Sequence, residues 1–366
     1  MGDDPLLSGL DERQRQAVTT PVSPLAILAG AGSGKTRVLT RRIAYQATTG
    51  RIDAGHTLAL TFTRKAAGEL SERLAALGLR RSGVRAGPAT AVTAGTFHAV
   101  ALAQLRRRWA DRGEAVPALL ERKVRLLVPF LAPGPTVGAE AAEVAGEIEW
   151  AKARLVGPEA YEAAVAAAAR PTPRAPAEVA DLYSRYETEK HRRGVVDFDD
   201  LIWGLGEALE TDAAFAAATR WRFRHLFVDE FQDLNPAQFR LLRAWLGDRS
   251  DLCVVGDQDQ AIYGFTGADA SYLVGFARHF PGAAVVHLES NFRSSPQVLA
   301  VAHAVLPAGK RSPRTLRPTR PDGPLPEVVA YATDAEEAVG LARALRAAGG
   351  PGVAWSSMAV LYRTNA

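Results

Sequence analysis

The sequence predicts an α/β protein: a parallel sheet around a phosphate-binding loop, interrupted by an α-helical insertion and closed by a last αβ unit. Three observations predict it. Short apolar runs at residues 25–28, 57–61 and 252–255 have strand length, and each leads into a polar loop. The loop after the first run reads Ala29-Gly30-Ala31-Gly32-Ser33-Gly34-Lys35-Thr36. Between about Leu105 and Arg193 the chain turns alanine-rich and helical, broken by proline-rich patches at 129–135 and 171–176. The expected division is therefore 1–104 with 197–285 for the sheet, 105–196 for the insertion and 286–366 for the closing segment.

The glycine-rich loop lies between an apolar strand and a helical pattern from Arg37 to Gln46, the context that makes a Walker A match a phosphate site. Small residues let successive N–H groups curl around an anion, and the helix N-terminus adds partial positive charge. Lys35 would reach the β- and γ-phosphates of a nucleoside triphosphate, and the Thr36 hydroxyl would hold Mg²⁺. Ala29 stands where glycine is usual, but Gly30, Gly32 and Gly34 keep the turn free. Just upstream, residues 10–18 read as a short amphipathic helix. Its Gln14 both donates and accepts, which suits the edge of adenine.

Further along, residues 57–61 and 91–93 read as strands followed by Phe62-Thr63-Arg64-Lys65 and Gly95-Thr96-Phe97-His98. Loops after strands carry ligands in open α/β sheets. An aromatic, a hydroxyl and cations there suit a base and phosphates. Trp150 and Tyr161 fall in the insertion and are expected to pack its core. Asp197, Asp199 and Asp200 flank Phe198; they match no metal-ligand spacing and suit a helix N-terminus. Residues 223–228 form the next strand, ending in Asp229-Glu230-Phe231-Gln232-Asp233. A carboxylate there, Asp229, is how a Walker B site holds Mg²⁺ against the loop threonine, and Glu230 is placed to take a proton from attacking water. After residues 252–255, Gln260 could sense the γ-phosphate while Tyr263 and Phe265 stack on bases. A strand at 285–288, a helix near 335–347 and a strand at 358–362 close the chain, whose abrupt end is that of an incomplete domain.

Composition sets the outer limits. The 366 residues are 47% apolar and 23% charged, enough for two to three domains with sizeable cores. A net charge of +4 is too mild to argue for a polyanion partner. The runs Arg106-Arg107-Arg108 and Lys190-His191-Arg192-Arg193 read first as solvated faces. One cysteine, Cys253, in an apolar run excludes an intramolecular disulfide, does not imply zinc and reads as buried. No stretch has the length of a membrane span, the first residues lack a signal-peptide pattern, and a cytoplasmic setting is expected.

Taken in order, LDERQRQAV, AGAGSGKT, LTFTRKAA, AGTFHA, DFDDL, VDEFQDLN, VGDQDQAIYGFTGA, ESNFRSS and VLYRTNA closely resemble the motifs of the UvrD/Rep/PcrA group of superfamily 1 DNA helicases, from about Leu10 to Ala366. The segment AGEIEWAK at 145–152 resembles a UvrD-like branch from high-GC bacteria. The resemblance implies two RecA-like lobes with ATP and Mg²⁺ in the cleft: 1–104 with 197–285 as the first, carrying the insertion, and 286–366 as the start of an incomplete second. It implies that Gln14 reads adenine, Arg37 lies against the nucleotide, Phe292 stacks on adenine and Arg293 contacts the γ-phosphate. Gln260 would couple that phosphate to single-stranded DNA running over Phe62, Thr63, His98, Phe198, Tyr263, Phe265, Arg363 and Asn365. The implied activity is 3′-to-5′ translocation with strand separation at duplex junctions, in DNA repair. Many relatives carry Trp-Arg where this chain has Phe265-Thr266, implying a weaker grip on DNA at that loop. The motifs of the distal second lobe, with its arginine finger, lie beyond this sequence. Such a finger is worth on the order of 10³–10⁵ in rate, so the chain alone is expected to bind nucleotide and DNA but turn over poorly. Two other readings fit: an ATP-regulated DNA-binding module without unwinding, and the motor part of a helicase–nuclease.

Overall fold

A computed structural model describes residues 4–79, 91–306, 316–350 and 352–362. Six parallel strands form its main sheet. In chain order they are β1 (Leu25–Ala29), β2 (Thr57–Thr61), β3 (Thr93–Thr96), β6 (His225–Val228), β7 (Leu252–Gly256) and β8 (Ala284–Leu288). The short β4 (Ala118–Leu119) and β5 (Val195–Val196) pair separately. Across the main sheet the order is β3-β2-β6-β7-β1-β8.

The strands are apolar on both faces because both faces are covered. Ala26, Leu58, Leu60, Leu226, Val228, Leu252 and Val254 point into one core. That core is closed by helices α4 (Phe97–Asp111), α9 (Phe198–Thr211) and α11 (Pro236–Leu246). Their alternating neighbours Leu25, Ile27, Ala59, Phe227, Cys253 and Val255 enter a second core. Helices α1 (Glu12–Thr19), α2 (Lys35–Thr48) and α3 (Arg64–Ala76) cover that side. Cys253 is buried there, as its apolar run predicts. This is a RecA-like sheet with helices on both faces.

The expected second-lobe boundary at 285/286 falls inside β8, which pairs with β1 from Ala284 to Leu288 and so belongs to the first sheet. A third apolar cluster runs from Leu126 to Tyr186 and makes a helical block with its own core. Its main helices are α6 (Val137–Ala153), α7 (Tyr161–Ala167) and α8 (Pro176–Arg193). Trp150 and Tyr161 pack in it as expected, with 3% and no exposure. The chain enters and leaves this block through the parallel pair β4–β5, Ala118 opposite Val195.

The described residues from 322 to 362 form a separate compact unit with a helix at Asp334–Ala348. The strand expected at 358–362 does not form: those residues carry no regular structure, and among the described residues no strand pairs with them. Among the described residues, no helix is long and apolar enough to cross a membrane.

Candidate nucleotide and nucleic-acid site

In a parallel sheet all strands end on the same edge, and each loop named above leaves from that edge. The glycine-rich loop joins β1 to α2. Gly32 and Gly34 take φ of +71° and +84°, backbone that side chains with a Cβ rarely adopt, so this turn requires glycine at both places. Ser33 is fully buried, and its hydroxyl closes the loop onto the Gly30 carbonyl at 2.7 Å.

β6 lies one strand away from β1, with β7 between them. That spacing brings its carboxylates to the loop. Lys35 Nζ donates to Glu230 Oε2 at 2.8 Å, and Thr36 Oγ1 lies 3.4 Å from Asp229 Oδ2. Glu230 stands in the left-handed region at φ 51°, uncommon for a residue with a side chain, and its own N–H donates to Asp229 Oδ1 at 3.0 Å. Burial, and then the neighbouring Glu230 charge, push the Asp229 carboxyl up to about 6. The same two causes raise Asp233 to about 6. A hydroxyl beside a buried carboxylate is a hard, all-oxygen donor pair of the kind Mg²⁺ takes, so the residues present fit that ion.

The site extends across β7. Gln232, 2% exposed, donates from Nε2 to Glu230 Oε2 at 2.8 Å and accepts the Asp257 N–H at 2.9 Å. Asp257 in turn accepts from Gln260 Nε2 at 2.6 Å. Lys35, Glu230, Gln232, Asp257 and Gln260 thus form one hydrogen-bonded row. An amide is the neutral side chain that both donates to a carboxylate and accepts from a backbone N–H, so glutamine suits its middle. The sequence reading assigned no role to Gln232 or Asp257, although both lie in the quoted motifs.

Gln14 is buried, and its amide serves the protein itself. Nε2 donates to the Ser33 carbonyl at 2.8 Å, while Oε1 accepts the Asp11 N–H in a capping box that starts α1. Here it buttresses the loop. Arg37 lies on α2 with Nη2 3.4 Å from the Ser8 carbonyl. Asn291 is the other residue the sequence reading passed over. It is fully buried, donates to the Ala31 carbonyl at 2.6 Å and accepts from the N–H groups of Arg293 and Ser294. With the Phe292 N–H on the Gly32 carbonyl at 2.9 Å, this places Phe292 and Arg293, both exposed, at the rim of the loop. A cleft of about 770 Å³ lies beside it, bounded by Gly30, Asp257, Gln260, Leu299 and His303; neither Lys35 nor Glu230 lines it.

The expected DNA contacts fall into separate groups. Thr63 is exposed, and its hydroxyl caps α3 by accepting the Ala66 N–H at 3.1 Å. Phe62 is half-buried against Phe97, ring centres 5.7 Å apart. His98 and Phe198 meet edge to face at 6.0 Å, both half-buried. Burial, and then the nearby Lys123 charge, push the His98 imidazole down to about 4 against the pull of Asp197. Tyr263 and Phe265 are the open aromatics, 47% and 60% exposed, with ring centres 6.3 Å apart. Arg363 and Asn365 lie outside the described residues.

The acids around Phe198 serve two purposes. Asp197 caps α9 in a capping box with Asp200, as a helix start requires. It is also fully buried, accepting from Lys152 Nζ at 3.0 Å and Tyr186 Oη at 2.8 Å, with Lys190 Nζ at 3.3 Å. Both lysines reach Glu187 and Asp200 as well, so ammonium groups occupy the space between these carboxylates. Lys190 is 2% exposed, which corrects the reading of the 190–193 run as a solvated face. Arg192 and Arg193 keep to the surface, paired with Glu189.

The glycine-rich loop, the paired carboxylates one strand away and the six-stranded parallel sheet define a RecA-like lobe of the P-loop class. Residues 10–281 match the UvrD/REP helicase N-terminal domain, and the chain belongs to that family. It is 45% identical over 381 residues to the ATP-dependent DNA helicase UvrD2 of Mycobacterium tuberculosis (strain ATCC 25618 / H37Rv), covering all of this chain and 53% of that protein. It is 36% identical over 388 residues to UvrD1 of the same strain, covering 99% of this chain and 48% of the relative. Identity to the ATP-dependent DNA helicase PcrA of Leuconostoc citreum is 35% over 375 residues, again spanning 48% of the relative. The chain spans about half the length of these relatives.

Proposed function

We propose that this chain is the nucleotide-binding half of an ATP-driven 3′-to-5′ DNA translocase that separates strands at duplex junctions and serves DNA repair in the cytoplasm. The observation that carries the reading is one shared edge. Lys35–Glu230 and Thr36–Asp229 sit at strand ends on the side where the β7 loop exposes Tyr263 and Phe265. Thr36 and Asp229 would hold Mg²⁺, which when bound neutralises phosphate charge. Lys35 would exchange the Glu230 carboxylate for β- and γ-phosphate oxygens, leaving Glu230 free to accept a proton from water. Residues 29–34 would wrap the phosphates, Arg293 would approach them from the rim, and Arg37, Phe292 and Gln14 would flank the nucleotide. Gln260 would leave Asp257 for the γ-phosphate and carry that change into the aromatic loop. Thr63, His98 and Phe198 would line the strand's path with those aromatics, and Phe62 would back it.

The test is binding and hydrolysis of ATP by the chain, with and without oligothymidylate, beside Lys35→Ala and Glu230→Gln. Nucleotide affinity is expected to fall in Lys35→Ala and to survive in Glu230→Gln. Turnover in Glu230→Gln is expected to fall by about 10²–10⁴. ATP affinity unchanged by Lys35→Ala would overturn the assignment of the loop. Polarity is read on the full-length protein, with oligonucleotides labelled at either end.

A further inference from the structure

The loop carrying Tyr263 and Phe265 is held from two sides. On the lobe side, the Asp269 N–H donates to the Leu234 carbonyl at 2.8 Å. On the other side stands Arg170, just past α7, whose Nη1 donates to the Phe265 carbonyl at 3.2 Å. The rest of that guanidinium is locked in place. Its Nε and Nη2 grip Glu147 of α6 at 2.9 and 2.8 Å, and the Trp150 ring lies against it at 4.8 Å. Tyr161 Oη donates to the same Glu147 at 2.8 Å. Glu147, Trp150 and Tyr161 are all buried.

The backbone agrees with the side chains. Ala169 takes φ 46°, an uncommon conformation for a residue with a Cβ, immediately before Arg170. At the far end of the loop, Gly267 has φ +99°, and a Cβ there would lie 2.8 Å from the Ala153 Cβ of α6. Only a residue without a side chain allows that approach.

We propose that Arg170 is a positioning residue that anchors the aromatic loop to the helical block. The inference rests on the single-strand reading above. Gln260 opens this loop next to the nucleotide side, and Phe265 would be its fixed end, so displacement of Gln260 would turn Tyr263 against an anchored Phe265. A fork is required for the task. Lysine neutralises Glu147, but its three donors share one nitrogen and lack the fork that spreads Nε, Nη1 and Nη2 over Glu147 and the Phe265 carbonyl.

The experiment compares the chain with Arg170→Lys and Arg170→Ala. Hydrogen exchange is read across residues 261–268, affinity for labelled oligothymidylate by anisotropy, and affinity for a fluorescent ATP analogue. Arg170→Lys, which keeps the charge on Glu147, is expected to fold and to bind nucleotide as before. Exchange in the loop should quicken, and oligonucleotide affinity should fall on the order of tenfold, the scale of one lost base stack. Unchanged loop exchange overturns the proposal, as does faster exchange with unchanged oligonucleotide affinity. If the unaltered chain binds no oligonucleotide, the single-strand reading fails instead, and loop exchange alone decides whether Arg170 holds the loop.

Discussion

Replacing Lys152 by methionine removes a charge from a crowded, buried ionic cluster while keeping most of the side-chain volume. Its ammonium touches Asp197, Asp200 and Glu187 at 3.0, 2.6 and 3.1 Å, with Lys152 2% and Asp197 0% exposed. Burial opposes the lysine charge, but the surrounding carboxylates outweigh it and hold Lys152 above its ordinary value. Burial likewise opposes ionisation of Asp197, and Lys152, Lys123 and Lys190 overcome it. Removing one partner of such a pair costs about 3–5 kcal/mol, because the other charge stays buried. Lys190 remains within 3.3 Å of Asp197 and 2.7 Å of Asp200, so the lower end applies, about 3 kcal/mol. For a domain of this size that is a fall in Tm of roughly 5–10 °C. Thermal melts of Lys152→Met, Asp197→Asn and the double variant read it directly. A double variant that melts as the sum of the singles, with coupling under about 0.5 kcal/mol, would refute the reasoning. So would a Lys152→Met protein as stable as the parent.

Three further outcomes follow from the geometry. Gly32→Ala forces a side chain onto left-handed backbone with its Cβ 2.7 Å from Asn291 Nδ2; titration with a fluorescent ATP analogue should show affinity weakened about tenfold or more. Lys35→Met leaves the Glu230 carboxylate without its ammonium partner, and loss of nucleotide binding should accompany at most a small change in Tm, since Glu230 is partly open to water. His98 is held at about 4, below its ordinary 6.5, so the fold keeps it neutral while the unfolded chain takes up a proton. Stability from this source is complete above pH 6.5 and declines towards pH 4, by about 3 kcal/mol at most. The raised carboxyls of Asp229 and Asp233 act with the opposite sign over the same range, so the comparison is with His98→Phe, in which they cancel. An unchanged acid slope in that variant would exclude His98 as its source.

The strands, the glycine loop and the carboxylates at 229 and 230 were legible because each is a local pattern: an apolar run, then the residues that a strand end presents. What stayed hidden depends on partners far along the chain. Lys190 sits in a basic run and looks solvated; its burial depends on Asp197 and Asp200, on another element. Gln14 looked free to read a base, yet the capping signal Asp11-x-x-Gln14 was there, and the amide reaches the Ser33 carbonyl. Residues 358–362 have strand composition, but composition supplies no hydrogen-bonding neighbour. Gln232 and Asn291 were visible as letters, and their work between loops appears only once β6, β7 and the 290–294 segment converge.

The helical block meets the lobe along a seam: at β4–β5 beside Asp197, where the Trp203 indole donates to the Lys152 carbonyl at 2.8 Å, and where Arg170 and Ala153 meet the loop after β7. A body on a single tether swivels freely, like a flail. Contacts spread along a seam resist that swivel, and one stretch of this seam is the loop that bears Tyr263 and Phe265.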